Sequence, residues 1–181
     1  MVRILHPDDL PAVPWKNGGG ITREIARADN TRGLIWRISI ADVATDGPFS
    51  RFEGLTRILT VIAGAGVDLV TNVGVITAHC GSPVRFSGDT AVVARLIQGP
   101  IRDLNLIFDA SQVNADVVVL TGPAMIETKP GSAGCLALSG TILLDATLLP
   151  VGAFALGQPG QIKLGDGAKA LLLTISDVSS S

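Results

Sequence analysis

The segment Pro14-Trp15-Lys16-Asn17-Gly18-Gly19-Gly20-Ile21-Thr22-Arg23-Glu24 holds the most unusual chemistry in the chain. Three successive glycines open backbone conformations closed to other residues, and they let a ligand approach the main chain closely. Lys16 adds a cation, and Asn17 adds both donor and acceptor groups. The segment is not a phosphate loop, because Gly-x-x-x-x-Gly-Lys-Ser/Thr is absent. A tight turn leading into a strand is the plainer reading of the same residues. Further on, polar residues recur at a spacing of two. In an extended strand Thr22, Glu24 and Ala26 share one face, and Ile21, Arg23 and Ile25 the other. In the next such segment Trp36, Ile38 and Ile40 share a face, with Arg37 and Ser39 opposite. Asp103 and Asn105 alternate with Leu104 and Leu106 in the same way. Turned into a barrel interior, these faces make a polar pocket. Turned outward, they are an ordinary solvated sheet.

Metal chemistry is disfavoured. The only histidines are His6 and His79, and the carboxylates show no metal-ligand spacing, so neither metal nor cofactor is expected. No Ser-His-Asp set or paired-carboxylate spacing stands out. Cys80 and Cys135 follow no Cys-x-x-Cys spacing and are expected to be free, largely buried thiols.

The elements that position these residues read as β-structure throughout. Hydrophobic residues make up 47% of the 181, enough for a packed core. Short β-branched runs end at Gly, Pro, Asn or Asp: 33–40, 56–63, 67–70, 73–77, 91–97, 117–120, 141–144 and 171–175. No sustained apolar stripe has helical period, and one short turn is expected at Pro7–Leu10. Many short strands with frequent turns imply a sandwich or barrel. A weak repeat supports two such units. Gly88-Asp89 is echoed by Gly165-Asp166, each followed by an apolar strand, and Ala65-Gly66 is echoed by Ser139-Gly140. Neither unit alone buries a good core, so the two are expected to pack together. The polar stretch Ala110–Ala115 is the expected junction, giving units 1–109 and 110–181.

Charge and hydropathy narrow the partners. The net charge of −2, without any Lys/Arg run, argues against nucleic acid. A mean hydropathy of +0.46 raises the question of a membrane span. The longest uncharged run, between Asp145 and Lys163, is broken by Pro150, Pro159 and three glycines. It falls short of the roughly 20 apolar residues a spanning helix needs. The start of the chain turns polar too early for a signal peptide, so a cytoplasmic location is expected.

The motif Pro14–Gly20 gains weight from its companions. They are Thr22–Ala26, Trp36–Ala41, Asp46-Gly47-Pro48-Phe49-Ser50-Arg51-Phe52, Gly54, Arg57 and Gly99–Asn105. Together and in this order they resemble the HutD/Ves family over about the first 105 residues. Glu53 stands where that family usually has Pro, and Phe108-Asp109 replaces a commonly more basic stretch.

The resemblance implies an all-β bicupin fold of two fused cupin-like barrels, with the pocket in the first. It also implies a link to bacterial histidine utilisation, with urocanate or N-formylglutamate as candidate ligands. The implied ligand-binding set is Lys16, Asn17, Gly18, Gly19, Thr22, Glu24, Arg37, Ser39, Arg57, Asp103 and Asn105. Arg37 and Arg57 suit a carboxylate through charge-assisted bonds. Glu24 and Asp103 either hold the arginines or, in an enzymatic alternative, serve as a general base. The expected partner is a small polar anion, and a homodimer is left open.

Overall fold

The computed structural model describes residues 1–178; the last three, assigned with the second barrel, lie outside the described residues. Strand β1 (Arg3–Leu5) and a short 3-10 turn at Pro7–Asp9 open the chain. They are followed by β2 (Ala12–Pro14), β3 (Gly20–Asn30), β4 (Gly33–Val43), β5 (Gly47–Pro48) and β6 (Thr56–Ala63). Next come β7 (Gly66–Thr71), β8 (Gly74–His79), β9 (Val84–Ser87), β10 (Val93–Leu96) and β11 (Ile101–Phe108). The remaining strands are β12 (Val113–Thr121), β13 (Ala124–Glu127), β14 (Ser132–Ser139) and β15 (Ile142–Leu144). They continue with β16 (Thr147–Leu148), β17 (Phe154–Leu156), β18 (Gln161–Leu164) and β19 (Lys169–Asp177). The all-β expectation holds, and no helix among the described residues is long and apolar enough to cross a membrane.

Residues 10–112 form one compact unit, and residues 1–9 with the chain from Val113 onward form another. The first unit has a six-stranded sheet, β2-β3-β4-β11-β6-β9, and a four-stranded sheet, β5-β10-β7-β8. Both sheets feed one core, from Ala41, Leu59 and Val61 on the larger to Val67, Leu69 and Ala94 on the smaller. The central strands β4 and β11 are buried on both faces, from Ile38 to Ala41 and from Asp103 to Phe108. A strand covered on both sides is normally apolar throughout. Here Ser39, Asp103 and Asn105 interrupt the apolar run, and Arg57 on β6 joins them in the buried set. The antiparallel register sets Asn105 opposite Ser39 and Leu59, Asp103 opposite Ala41 and Val61, and Ile107 opposite Arg37 and Arg57. That register carries the polar positions onto one face.

The second unit repeats this topology. Its larger sheet runs β12-β19-β14-β17, the counterpart of β4-β11-β6-β9, and its smaller sheet runs β13-β18-β15-β16, the counterpart of β5-β10-β7-β8. The duplication is therefore present, but one of its sequence signals is not. Gly88-Asp89 links β9 to β10, whereas Gly165-Asp166 links β18 to β19, the counterpart of the β10 to β11 link. The two steps sit in different turns. Gly-Asp suits any tight turn before a strand, so its recurrence carries no register. The pair Ala65-Gly66 and Ser139-Gly140 does fall in equivalent links, β6 to β7 and β14 to β15.

Residues 1–9 also depart from the sequence division. Strand β1 pairs with β17, Arg3 opposite Leu156 and Leu5 opposite Phe154, so this segment extends the second unit's larger sheet. Pairing there satisfies the free backbone edge of β17. Cys135 is buried as expected, but Cys80 is exposed just past the end of β8.

One close approach bears on the pocket. Phe52 N–H donates to Gly88 O (2.9 Å), and Gly88 N–H donates to Leu55 O (2.7 Å). A Cβ on Gly88 would run into the carbonyls of Phe52 and Leu55. Gly88→Ala must push this backbone apart and is expected to cost about 2 kcal/mol or more of stability. Urea denaturation of wild type and variant measures the loss.

Candidate functional site

The larger sheet's inner face opens onto a cavity of about 610 Å³ inside the first unit. Lys16, Asn17, Thr22, Arg37, Ser39, Arg57, Asp103 and Asn105 all line it. Three other residues of the expected set do not. Gly18 and Gly19 shape the turn before β3: Gly18 takes φ 73° and Gly19 N–H donates to Asn17 Oδ1 (2.9 Å). Their neighbour Gly20 leaves room for the Trp15 ring, which a Cβ there would crowd. Gly18 thus serves the turn and Gly20 the packing of Trp15. Glu24 pairs opposite Ser39, just before the register shift at Ile25, yet it does not line the cavity. Glu24 lies exposed and accepts from Arg37 Nε (2.8 Å). In this structure it holds Arg37.

Arg57 is the centre of the floor. Its guanidinium lies 5.7, 5.1 and 5.1 Å from the ring centroids of Phe49, Phe52 and Phe86. Aromatic faces attract a cation electrostatically and more strongly when water is excluded. Nη1 donates to Ser50 O (3.1 Å) and Nη2 to Asn105 Oδ1 (2.9 Å), while Nε is buried without a partner. Asn105 in turn donates through Nδ2 to Asp103 Oδ1. A neutral amide therefore stands between a buried cation and a buried carboxyl. Among the described residues no carboxylate touches Arg57.

Burial dominates the electrostatics. It pushes the Asp103 carboxyl up to about 7; the positive charge of Arg57 opposes this and the negative charge of Asp42 adds to it. Burial also pulls the Arg57 guanidinium down to about 10, against the attraction of Asp103. Asp103 Oδ2 has no partner. On the other side of β4, Asp42 takes Arg102 (2.6 Å) and Arg23 (2.7 Å), which hold its carboxyl below the usual range.

The cavity walls include residues the sequence did not single out as site residues. Trp15 donates from Nε1 to Thr22 Oγ1 (2.7 Å) and meets the Phe49 ring edge-on at 5.8 Å. Phe49, Ser50 and Phe52 come from the Asp46–Phe52 stretch, which was visible as a motif but not as a wall. The second unit's core is lined differently. There the strands matching β6 and β11 turn Cys135, Ala137, Ala170 and Leu172 into an apolar cluster. Among the described residues no group of three or more His, Cys, Asp or Glu gathers as a metal site.

Comparison with known proteins gives a consistent result. The HutD family model matches residues 7–172. An uncharacterized 21.2 kDa protein in the hutC 3' region of Pseudomonas putida is 39% identical over 125 residues, covering 63% of this chain and 62% of that protein. Protein Ves of Citrobacter koseri is 38% identical over 113 residues, covering 61% of this chain and 59% of that one. These matches thus span less than two thirds of either relative. Over its full length the fold is similar to HutD from Pseudomonas fluorescens SBW25, solved in a formate condition: TM-score 0.86, 30% identity, 99% of this chain and 100% of that one. A Cupin 2 conserved barrel domain protein from Leptotrichia buccalis shares the fold at 12% identity, with TM-score 0.63 and 96% of each chain covered. The expected bicupin architecture is therefore present, each unit being two facing sheets.

The raised Asp103 carboxyl has a consequence for stability. An unfolded Asp releases its proton near pH 4, whereas folded Asp103 keeps it to about 7. Between those values the native state binds the extra proton, so this group's contribution to stability falls as pH rises and levels off above 7. Asp103→Asn is expected to flatten the decline between pH 5 and 7. Urea midpoints of wild type and variant at the two pH values test this.

Proposed function

We propose a function on one premise: the chain belongs to the HutD family. Its first unit is a metal-independent binding site for a small carboxylate metabolite. The carrying observation is the floor of the cavity, where the Arg57 guanidinium is 5% exposed and bonded only to neutral oxygens. A buried cation without a contacting anion is costly, and an anionic ligand in the cavity would supply one. Arg37, lining the same cavity with its Nε held by Glu24, keeps its terminal nitrogens for a carboxylate. Lys16 and Asn17 are exposed at the rim, and the apolar walls of Trp15, Phe49 and Ile107 suit a flat or alkyl body.

Urocanate and N-formylglutamate fit this description: both are carboxylates with further hydrogen-bonding atoms. The hutC-region position of the Pseudomonas putida relative agrees with that choice. The role is sensing or regulation within histidine utilisation, in the cytoplasm.

A second reading, a metal-independent enzyme, has one observation behind it. A carboxyl held near 7 is poised as a general base. Against it, Asp103 is 1% exposed, and its free oxygen is buried at the cavity floor rather than presented to a substrate. Glu24, the other candidate base, lies outside the cavity.

Calorimetry with urocanate and N-formylglutamate tests the reading. Wild type is expected to bind one of them, and Arg37→Ala to lose about 2 kcal/mol, roughly thirtyfold in affinity, for one charge-assisted contact. Equal affinity in both proteins would overturn the assignment of Arg37. NMR of the incubated ligand is expected to show no conversion, and steady turnover would establish the enzymatic reading instead.

A further inference from the structure

We propose that Asp103 is a proton-accepting counter-charge to Arg57, so that an anion entering the pocket drives proton uptake at Asp103. This rests on the binding role above and adds a specificity device to it: the pocket selects anions by exchanging one negative charge for another.

The geometry makes the two negative charges compete. Asp103 reaches Arg57 only through Asn105, whose Oδ1 accepts from Arg57 Nη2 and whose Nδ2 donates to Asp103 Oδ1. Arg57 is therefore the cation that favours ionised Asp103, and the same guanidinium lines the cavity an anion would enter. The other charged groups acting on Asp103 are accounted for. Asp42, from β4, opposes ionisation and is itself held by Arg102 of β11 and Arg23 of β3. From β6 the facing charge is Arg57. Arg37 and Lys16 lie further along the same cavity.

An anion beside Arg57 removes the attraction that keeps Asp103 ionised and adds repulsion. Low dielectric strengthens both effects. The buried Oδ2, which no donor satisfies, is the atom where a proton relieves the burial of charge. Asp103 sits near 7 in the empty pocket, so a modest further push completes its protonation. By linkage, the reverse also holds: protonated Asp103 raises the affinity for the anion. Affinity should then fall with rising pH above 7, by up to about tenfold per pH unit in the limit of one proton per anion.

The experiment is calorimetry with urocanate and with formate as a minimal carboxylate probe, at pH 8.0, in phosphate and in Tris. These buffers differ in ionisation enthalpy, so the difference in apparent heat counts the protons taken up. The expected result is uptake approaching one proton per anion, with weaker binding at pH 8.5 than at 6.5. Asp103→Asn, close to isosteric, is expected to abolish the uptake and to bind several-fold tighter than wild type at pH 8.5. Binding with the same heat in both buffers would overturn the coupling while leaving the binding role intact. Uptake that persists in Asp103→Asn would overturn the assignment to this residue. Absence of binding by these probes and by N-formylglutamate alike would overturn the binding role and the coupling with it.

Discussion

A guanidinium buried among three phenylalanine rings is the constraint around which the first unit is arranged. Arg57 leaves water and receives in exchange ring faces, the Ser50 carbonyl and the Asn105 amide. Each neighbour must then be positioned in turn. Asn105 is fixed by Asp103, Ser50 by the loop before β6, and Phe52 by the close approach of Gly88. Removing the guanidinium would leave Asn105 without its donor, and removing the rings would expose the cation to a half-apolar cavity. Buried polar networks of this kind are stable when every member is satisfied, and an ordered site is what they produce. The network here is incomplete at Arg57 Nε and Asp103 Oδ2.

The duplicated topology sharpens the contrast. Both units use the same strand order, yet among the described residues the charged side chains buried in a larger sheet, Arg57 and Asp103, belong to the first. The second fills the equivalent space with Cys135, Ala137, Ile142, Ala170 and their neighbours. A filled core contributes burial, while one opened around charged groups gives up part of that contribution. The difference between the two copies of this topology lies in a few inward positions on β4, β6 and β11.

Much of this was legible from the residues. Alternation placed Arg37 with Ser39 and Asp103 with Asn105 on shared faces, and the antiparallel register then brought those faces together. The strand boundaries at Thr56–Ala63 and 142–144 were close, because β-branched runs bounded by turn residues leave little freedom. Glu24 keeps the face that alternation gives it, opposite Ser39 and before the bulge at Ile25, but its carboxylate is exposed, turned to Arg37 and not among the residues lining the cavity. The phenylalanine cage was hidden for a different reason. Phe49 and Phe52 lie in a loop and Phe86 on β9, so only the tertiary fold brings them to Arg57. The docking of β1 onto β17 is equally non-local: three residues pair with partners about 150 positions away. The Gly-Asp echo misled because turn chemistry recurs wherever strands are short.

The central claim is that the polar face of β4, β6 and β11 is a ligand floor. The most direct measurement is a crystal structure of the protein soaked with urocanate or N-formylglutamate. The account predicts a carboxylate inside the first unit's cavity, within hydrogen-bonding distance of Arg37 or Arg57, with the phenylalanine cage unchanged. A ligand seated elsewhere, or a cavity that holds only water at saturating ligand, would contradict it.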